Sequence, residues 1–159
     1  MTRLGEIRLM SRRNAREIVL CLVFEKEYYR DLSCEKLYND LFENNYIAEI
    51  YNSLGENERN RLLNKADEEY LKNTFIKIFE NIERIDEVIS NSTIGWEYNR
   101  ISKISMALLR IAVYEILYAD DIPASVAINE VVELSKRYDS ADAYTFINGV
   151  LGAVVKNNK

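Results

Sequence analysis

Residues 101 to 119, ISKISMALLRIAVYEILYA, carry apolar side chains on two sides of a helix at once. Ile104, Leu108, Ile111 and Ala112 form one stripe, and Leu109, Val113, Ile116 and Leu117 form another. A helix with one apolar stripe rests on a surface, whereas a helix with two must lie between neighbours. This segment therefore demands a bundle around it. With one proline and five glycines in 159 residues, the chain is poor in turn residues, which argues against many short strands.

The neighbours are legible by the same spacing. Ser11 is a suitable N-cap for a first helix over about residues 12 to 29, with Ala15, Ile18, Val19, Cys21 and Leu22 covering a broad face. A second helix is expected from Ser33, with Leu37, Leu41 and Phe42 in step. Residues 52 to 67, NSLGENERNRLLNKAD, read as a loop or frayed helix. From Asp67, a natural cap, the series Tyr70, Leu71, Thr74, Phe75, Ile78, Ile82, Ile85 and Val88 predicts one long helix, broken at NSTIGW. Pro123 suits the first turn of a helix whose stripe is Ala127, Val131, Leu134 and Tyr138. In the final helix Gly149, Gly152 and Ala153 are spaced to let another backbone approach closely. No strand pattern competes, so the fold class is all-α with six to seven helices.

Residue content narrows the chemistry. Histidine is absent, which removes the commonest metal ligand and the commonest general base at neutral pH. No zinc spacing, phosphate-cradling glycine loop or G-x-S-x-G is present. Acidic neighbours such as Glu68–Glu69 and Asp120–Asp121 do not face each other on a helix and read as solvated charge. No enzyme is expected, and no cofactor or metal. Cys21 lies in IVLCLVF and Cys34 follows Ser33; with no signal peptide and an apolar run too short for a membrane span, a cytoplasmic protein with free thiols is expected.

Charge is distributed unevenly. The chain carries −5 overall, yet residues 1 to 16 hold five arginines against Glu6 alone, +4, leaving −9 on the remainder. Arg12 and Arg13 fall in the first turn of the first helix, where the helix dipole disfavours cations, and Arg16 lies one turn further on the side of Arg12. A phosphate backbone supplies a reason for such a placement, since a helix N-terminus with guanidiniums beside it is a good anion site. Charge alone is equally met by helix decoration, or by pairing with acids on another helix. A second group, SKRYDSADAYTF, sets Lys136 and Arg137 at a helix C-terminus beside Tyr138, Tyr144 and Phe146. The dipole by itself explains the cations, and aromatics beside cations also suit stacked single-stranded bases.

The segment SRRNAREIVLCLVFEKEY resembles the opening of the NusB transcription antitermination family, and LLRIAVYE, DDIP, VAINEVVELSKRY and FINGVL resemble its C-terminal half. The likeness covers about residues 10 to 30 and 104 to 155. It implies two three-helix bundles packed together. On that scheme residues 1–9 are an N-terminal extension, with Met10 an alternative start, and residues 10–159 form a single helical domain. Its N-terminal bundle spans about 10–90 and its C-terminal bundle about 96–157.

The resemblance further implies a non-catalytic factor that pairs with NusE, a protein of the small ribosomal subunit. Together they bind boxA, a short single-stranded RNA, and help the RNA polymerase antitermination complex read through in ribosomal RNA operons. On this likeness Arg12, Arg13, Arg16, Lys136, Tyr138, Asp142 and Phe146 are the expected RNA-binding residues, and Phe24, where the family usually has tyrosine, the partner-binding one. On the same likeness Asn14 stands where the family often has a basic residue, and Thr145 where it can have one, which weakens the second cluster. The alternative is a helical protein-interaction module, or a homodimer, with no RNA role of its own. The domain also resembles the N-terminal part of an rRNA cytosine methyltransferase, whose α/β catalytic domain has no room in 159 residues.

Overall fold

The computed structural model describes residues 8–9, 12–43, 61–62, 65–93, 95 and 100–158. These contain seven helices: α1 (Arg12–Lys26), α2 (Cys34–Glu43), α3 (Lys65–Glu80), α4 (Ile82–Ser92), α5 (Lys103–Tyr118), α6 (Ala124–Tyr138) and α7 (Ala143–Asn158). The all-α class follows from the sequence reading. One small addition to it is a two-residue parallel pairing of β1 (Arg8–Leu9) with β2 (Arg61–Leu62), in which Arg8 opposes Arg61 and Leu9 opposes Leu62. The chain divides into two compact units, Met1–Ile76 and Lys77–Lys159.

In the first unit α1 is buried on most of its surface. Ala15, Ile18, Val19, Leu22 and Val23 have no exposure, and α1 packs with α2. The predicted cap Ser11 lies outside the described residues. Ser33 does cap α2, its hydroxyl accepting from the Lys36 N–H at 3.1 Å, and Leu37 is buried behind it. The side chains of Leu41 and Phe42 lie outside the described set, as does most of the predicted loop over 52–67. α3 begins at Lys65, two residues ahead of Asp67.

The predicted long helix is two. α3 ends at Glu80 and α4 begins at Ile82, with Asn81 between them at φ −112°, ψ 18°. The Asn81 side-chain amide donates to the Lys77 carbonyl at 2.8 Å while the Asn81 backbone N–H splits between Lys77 and Ile78 carbonyls. A side chain that inserts into the helical ladder bends it, which apolar spacing alone does not reveal. α4 then ends at Thr93, whose hydroxyl and N–H both donate to the Ser90 carbonyl. Gly95 follows at φ +91°, a left-handed conformation that side-chain-bearing residues rarely adopt.

The second unit is built on α5, which packs against α4, α6 and α7. Its residues Leu108, Leu109, Ile111, Ala112 and Val113 have no exposure, so the middle of both stripes is covered, while Ile104 and Leu117 at their ends are half-buried. Arg110 of α5 forms a two-pronged pair with Asp86 of α4, at 2.9 and 3.0 Å. Pro123 stands immediately before α6 and its carbonyl accepts from Val126 and Ala127. Ala127, Val131 and Leu134 of α6 are buried as expected, but Tyr138, placed in the same stripe, is 40 % exposed because α6 ends there. Gly149 and Gly152 do not meet a neighbouring helix: both are exposed, and a Cβ on either would find no described atom within 4 Å.

Candidate nucleic-acid interface

The N-terminus of α1 begins with Arg12 and Arg13 and has no acidic residue in its first turn. Arg12 is nonetheless matched within the fold. Its Nε donates to Asp67 Oδ1 of α3 at 2.8 Å, and its guanidinium lies 4.2 Å from the centre of the Tyr70 ring. Arg16 approaches the same ring at 5.5 Å, and both distances are within cation–π range. Exposure separates the three arginines. Arg16 is 3 % exposed, Arg12 has a side chain 39 % exposed, and Arg13 is exposed. Asn14 is buried.

Two of these cations are held in place by the fold, Arg12 by Asp67 and Tyr70 and Arg16 by Tyr70. The Asp67 carboxylate engages the Arg12 Nε, leaving the paired Nη groups for a second, bidentate partner of the kind that phosphate offers. The helix dipole adds to the positive side of the Arg12–Asp67 pair. Asp67 and Tyr70 escaped the sequence reading, which gave them roles as cap and core. The Arg12–Asp67 contact spans 55 residues, a pairing that no local spacing encodes.

A second surface forms where α6 ends and α7 begins. Lys136 Nζ pairs with Glu133 at 3.2 Å and lies 5.2 Å from the Tyr144 ring centre, while Arg137 lies 5.5 Å from that of Tyr138. Tyr138 and Tyr144 are each about two-fifths exposed. Beside them runs an open groove of about 660 Å³ lined in part by Arg100, Ser102, Asp139, Asp142, Thr145 and Phe146. Asp142 and Phe146, both expected at a ligand surface, thus share one groove. Lys136 and Tyr138 are not among its lining residues.

Phe24 is half-buried near the end of α1, its ring 5.5 Å from that of Tyr28 and tilted by 58°. Tyr28 is 58 % and Tyr29 47 % exposed. The turn that presents them is fastened by Lys26, whose ammonium donates to the Tyr29 and Arg30 carbonyls at 3.3 Å. The predicted partner residue therefore sits beside two exposed aromatics that spacing gave no reason to select. Among the described residues no three His, Cys, Asp or Glu side chains gather where they could hold a metal ion. No helix among them is long and apolar enough to cross a membrane.

The NusB family profile matches residues 13–156. The transcription antitermination protein NusB of Acetivibrio thermocellus is 41 % identical over 147 residues, covering 92 % of this chain and 90 % of that protein. That of Clostridium perfringens is 37 % identical over 150 residues, covering 94 % of this chain and all of the relative. Among solved structures, T. maritima NusB superposes with a TM-score of 0.73 at 32 % identity, covering 93 % of this chain and 92 % of that one. The fold is shared at 23 % identity, with a TM-score of 0.71 and coverage of 92 % and 96 %, by a crystal structure of antitermination factors NusB and NusE in complex with double-stranded RNA. With a profile match across nine-tenths of its length and relatives this similar end to end, the chain belongs to the NusB family of transcription antitermination proteins.

Proposed function

We propose that this chain captures single-stranded boxA-type RNA with the arginine-led start of α1 and with the groove of Asp142 and Phe146. In the same reading it pairs with the ribosomal protein NusE through the aromatic face of Phe24, Tyr28 and Tyr29. The pair serves an RNA polymerase antitermination complex on ribosomal RNA operons.

The observation that carries the reading is Arg13 exposed beside Arg12 at the positive end of α1. Arg16, buried at 3 %, acts by holding Tyr70, which in turn carries Arg12. At the second surface Tyr138 and Phe146 offer ring faces to bases, and Lys136 offers charge to the backbone. The structural neighbour crystallised with NusE and RNA supports the choice of partners.

A second reading is a protein-docking module or homodimer without RNA. It is favoured by the internal match of Arg12 to Asp67 and Tyr70, which gives that arginine a structural reason to exist. The two separate in one experiment: fluorescence anisotropy of a labelled boxA-type RNA with the chain, with and without NusE. The RNA reading expects capture that tightens when NusE is added and weakens in Arg13→Gln. Capture of NusE with no RNA-dependent change establishes the second reading instead.

A further inference from the structure

Asp139 is the residue at which α6 stops, and its backbone N–H still donates to the Ser135 carbonyl at 2.9 Å. Its carboxylate does more than end a helix. One oxygen accepts from the Ser140 N–H at 2.8 Å, the next residue in the turn toward α7. The carboxylate also accepts from the hydroxyls of Ser102, at 3.1 and 3.3 Å, and of Ser105 in a short contact. Ser102 is in turn the N-cap of α5, its hydroxyl accepting from the Ser105 N–H at 2.9 Å. One carboxylate thus fastens the end of α6, the start of α5 and the turn entering α7. Donors to an ionised group make the stronger class of hydrogen bond, and the positive end of the α5 dipole adds to them.

Asp139, Ser102, Ser105 and Ser140 line the groove that Asp142 and Phe146 also line. Tyr138 precedes Asp139 directly, and Asp142 follows three residues later. We infer that Asp139 is a positioning residue: its strap to Ser102 and Ser105 holds the α6–α7 turn so that Tyr138, Asp142 and Phe146 present one fixed surface to RNA. The inference rests on the proposed RNA reading of this groove. A strap of this kind lowers the ordering that binding must supply, so its loss appears in affinity as well as in stability.

The sign of the effect separates this role from a purely electrostatic one. A carboxylate beside a polyanion repels it. Were that its whole influence, Asp139→Ala and Asp139→Asn would both tighten RNA binding. The strap makes the opposite statement. Asp139→Ala removes every acceptor and weakens binding about fivefold, the scale of one ordinary lost hydrogen bond, since only part of the strap's loss reaches the bound surface. Asp139→Asn keeps one acceptor for the Ser140 N–H and turns its NH2 toward the serine hydroxyls, which rotate to accept from it, so binding stays within about twofold of the parent. The double variant Ser102→Ala/Ser105→Ala matches the Asp139→Ala loss, and adding Asp139→Ala to it produces little more, because both break the same connection.

The test is anisotropy of a labelled boxA-type RNA with the full chain and these variants, each checked by thermal unfolding and assayed well below its midpoint. Arg13→Gln, in the other unit, runs alongside. The expected result is weaker binding in Asp139→Ala, recovery in Asp139→Asn, and non-additivity with the serine pair. Unchanged or tighter binding in Asp139→Ala, with Arg13→Gln still defective, overturns the strap and leaves the RNA reading in place. If Asp139→Ala fails to fold, the serine pair and Asp139→Asn decide on the same criteria. A parent chain that captures no RNA overturns both.

Discussion

Replacing Arg12 and Arg13 one at a time should give unequal results in stability, although the residues are adjacent and identical in type. Arg12→Ala removes the partner of Asp67, whose side chain is only 8 % exposed, and strips a guanidinium from 4.2 Å above Tyr70. Deleting one member of a buried pair costs about 3–5 kcal/mol, while an exposed pair is worth at most about 1 kcal/mol. With Arg12 39 % exposed and Asp67 nearly buried, the case falls between, at about 2 kcal/mol including the ring contact. For a chain of this length each kcal/mol moves the melting midpoint by about 2–4 °C, so Arg12→Ala should lower it by roughly 4–8 °C. Arg13 is exposed, and Arg13→Ala should stay within about 0.5 kcal/mol of the parent. The assay is thermal unfolding followed by circular dichroism, with Asp67→Ala added to complete a double-mutant cycle. Equal midpoints for the two arginine variants, or additive Arg12 and Asp67 effects, would refute the claim that Arg12 is seated from within.

Further outcomes follow at Arg110, Gly95 and Cys21. Arg110→Ala breaks the two-pronged pair to Asp86, and because Asp86 keeps 30 % exposure the loss in a urea titration should be about 1–2 kcal/mol. Gly95→Ala should cost about 1 kcal/mol through its φ of +91° alone, since a Cβ there meets no described atom, and Gly95→Asn should cost less. Burial pushes the Cys21 thiol up from an ordinary 9.0 to about 11, with Glu17 and then Glu25 adding to the rise. Between those values the unfolded chain holds fewer protons than the folded one, so stability falls as pH climbs through that window, and Cys21→Ala should flatten that part of the decline. At pH 8 the folded Cys21 should react with an alkylating agent about 100-fold more slowly than an unperturbed thiol, as read by mass spectrometry over time.

Much of the helical scheme could be read from spacing because burial imposes period. The middle of both α5 stripes and the Ala127–Val131–Leu134 stripe of α6 are covered as the pattern requires, with Ile104 and Leu117 half-buried at the α5 ends. The pattern did not show the bend at Asn81, since an amide donating to Lys77 leaves the apolar spacing of α3 and α4 intact. It also misread Gly149 and Gly152: small residues permit a close approach without requiring one. At the α1 start, the arginines stand out by breaking the dipole rule, a signal that residue type and position alone supply. It overstated the need for an outside anion, because Asp67 and Tyr70 come from a helix more than fifty residues away. Asp139 escaped for a related reason. Its three donors belong to the next residue and to a helix start over thirty residues earlier.

If the arginine-led tip of α1 takes up a polyanion, RNA capture must weaken with salt. Three or four neutralised phosphates on a single strand give a log–log slope of about −2 to −3. Arg13→Gln should reduce that slope by about 0.7 and weaken binding several-fold while the melting midpoint stays where it was. A slope near zero in the parent, or one that Arg13→Gln leaves untouched, would contradict the account.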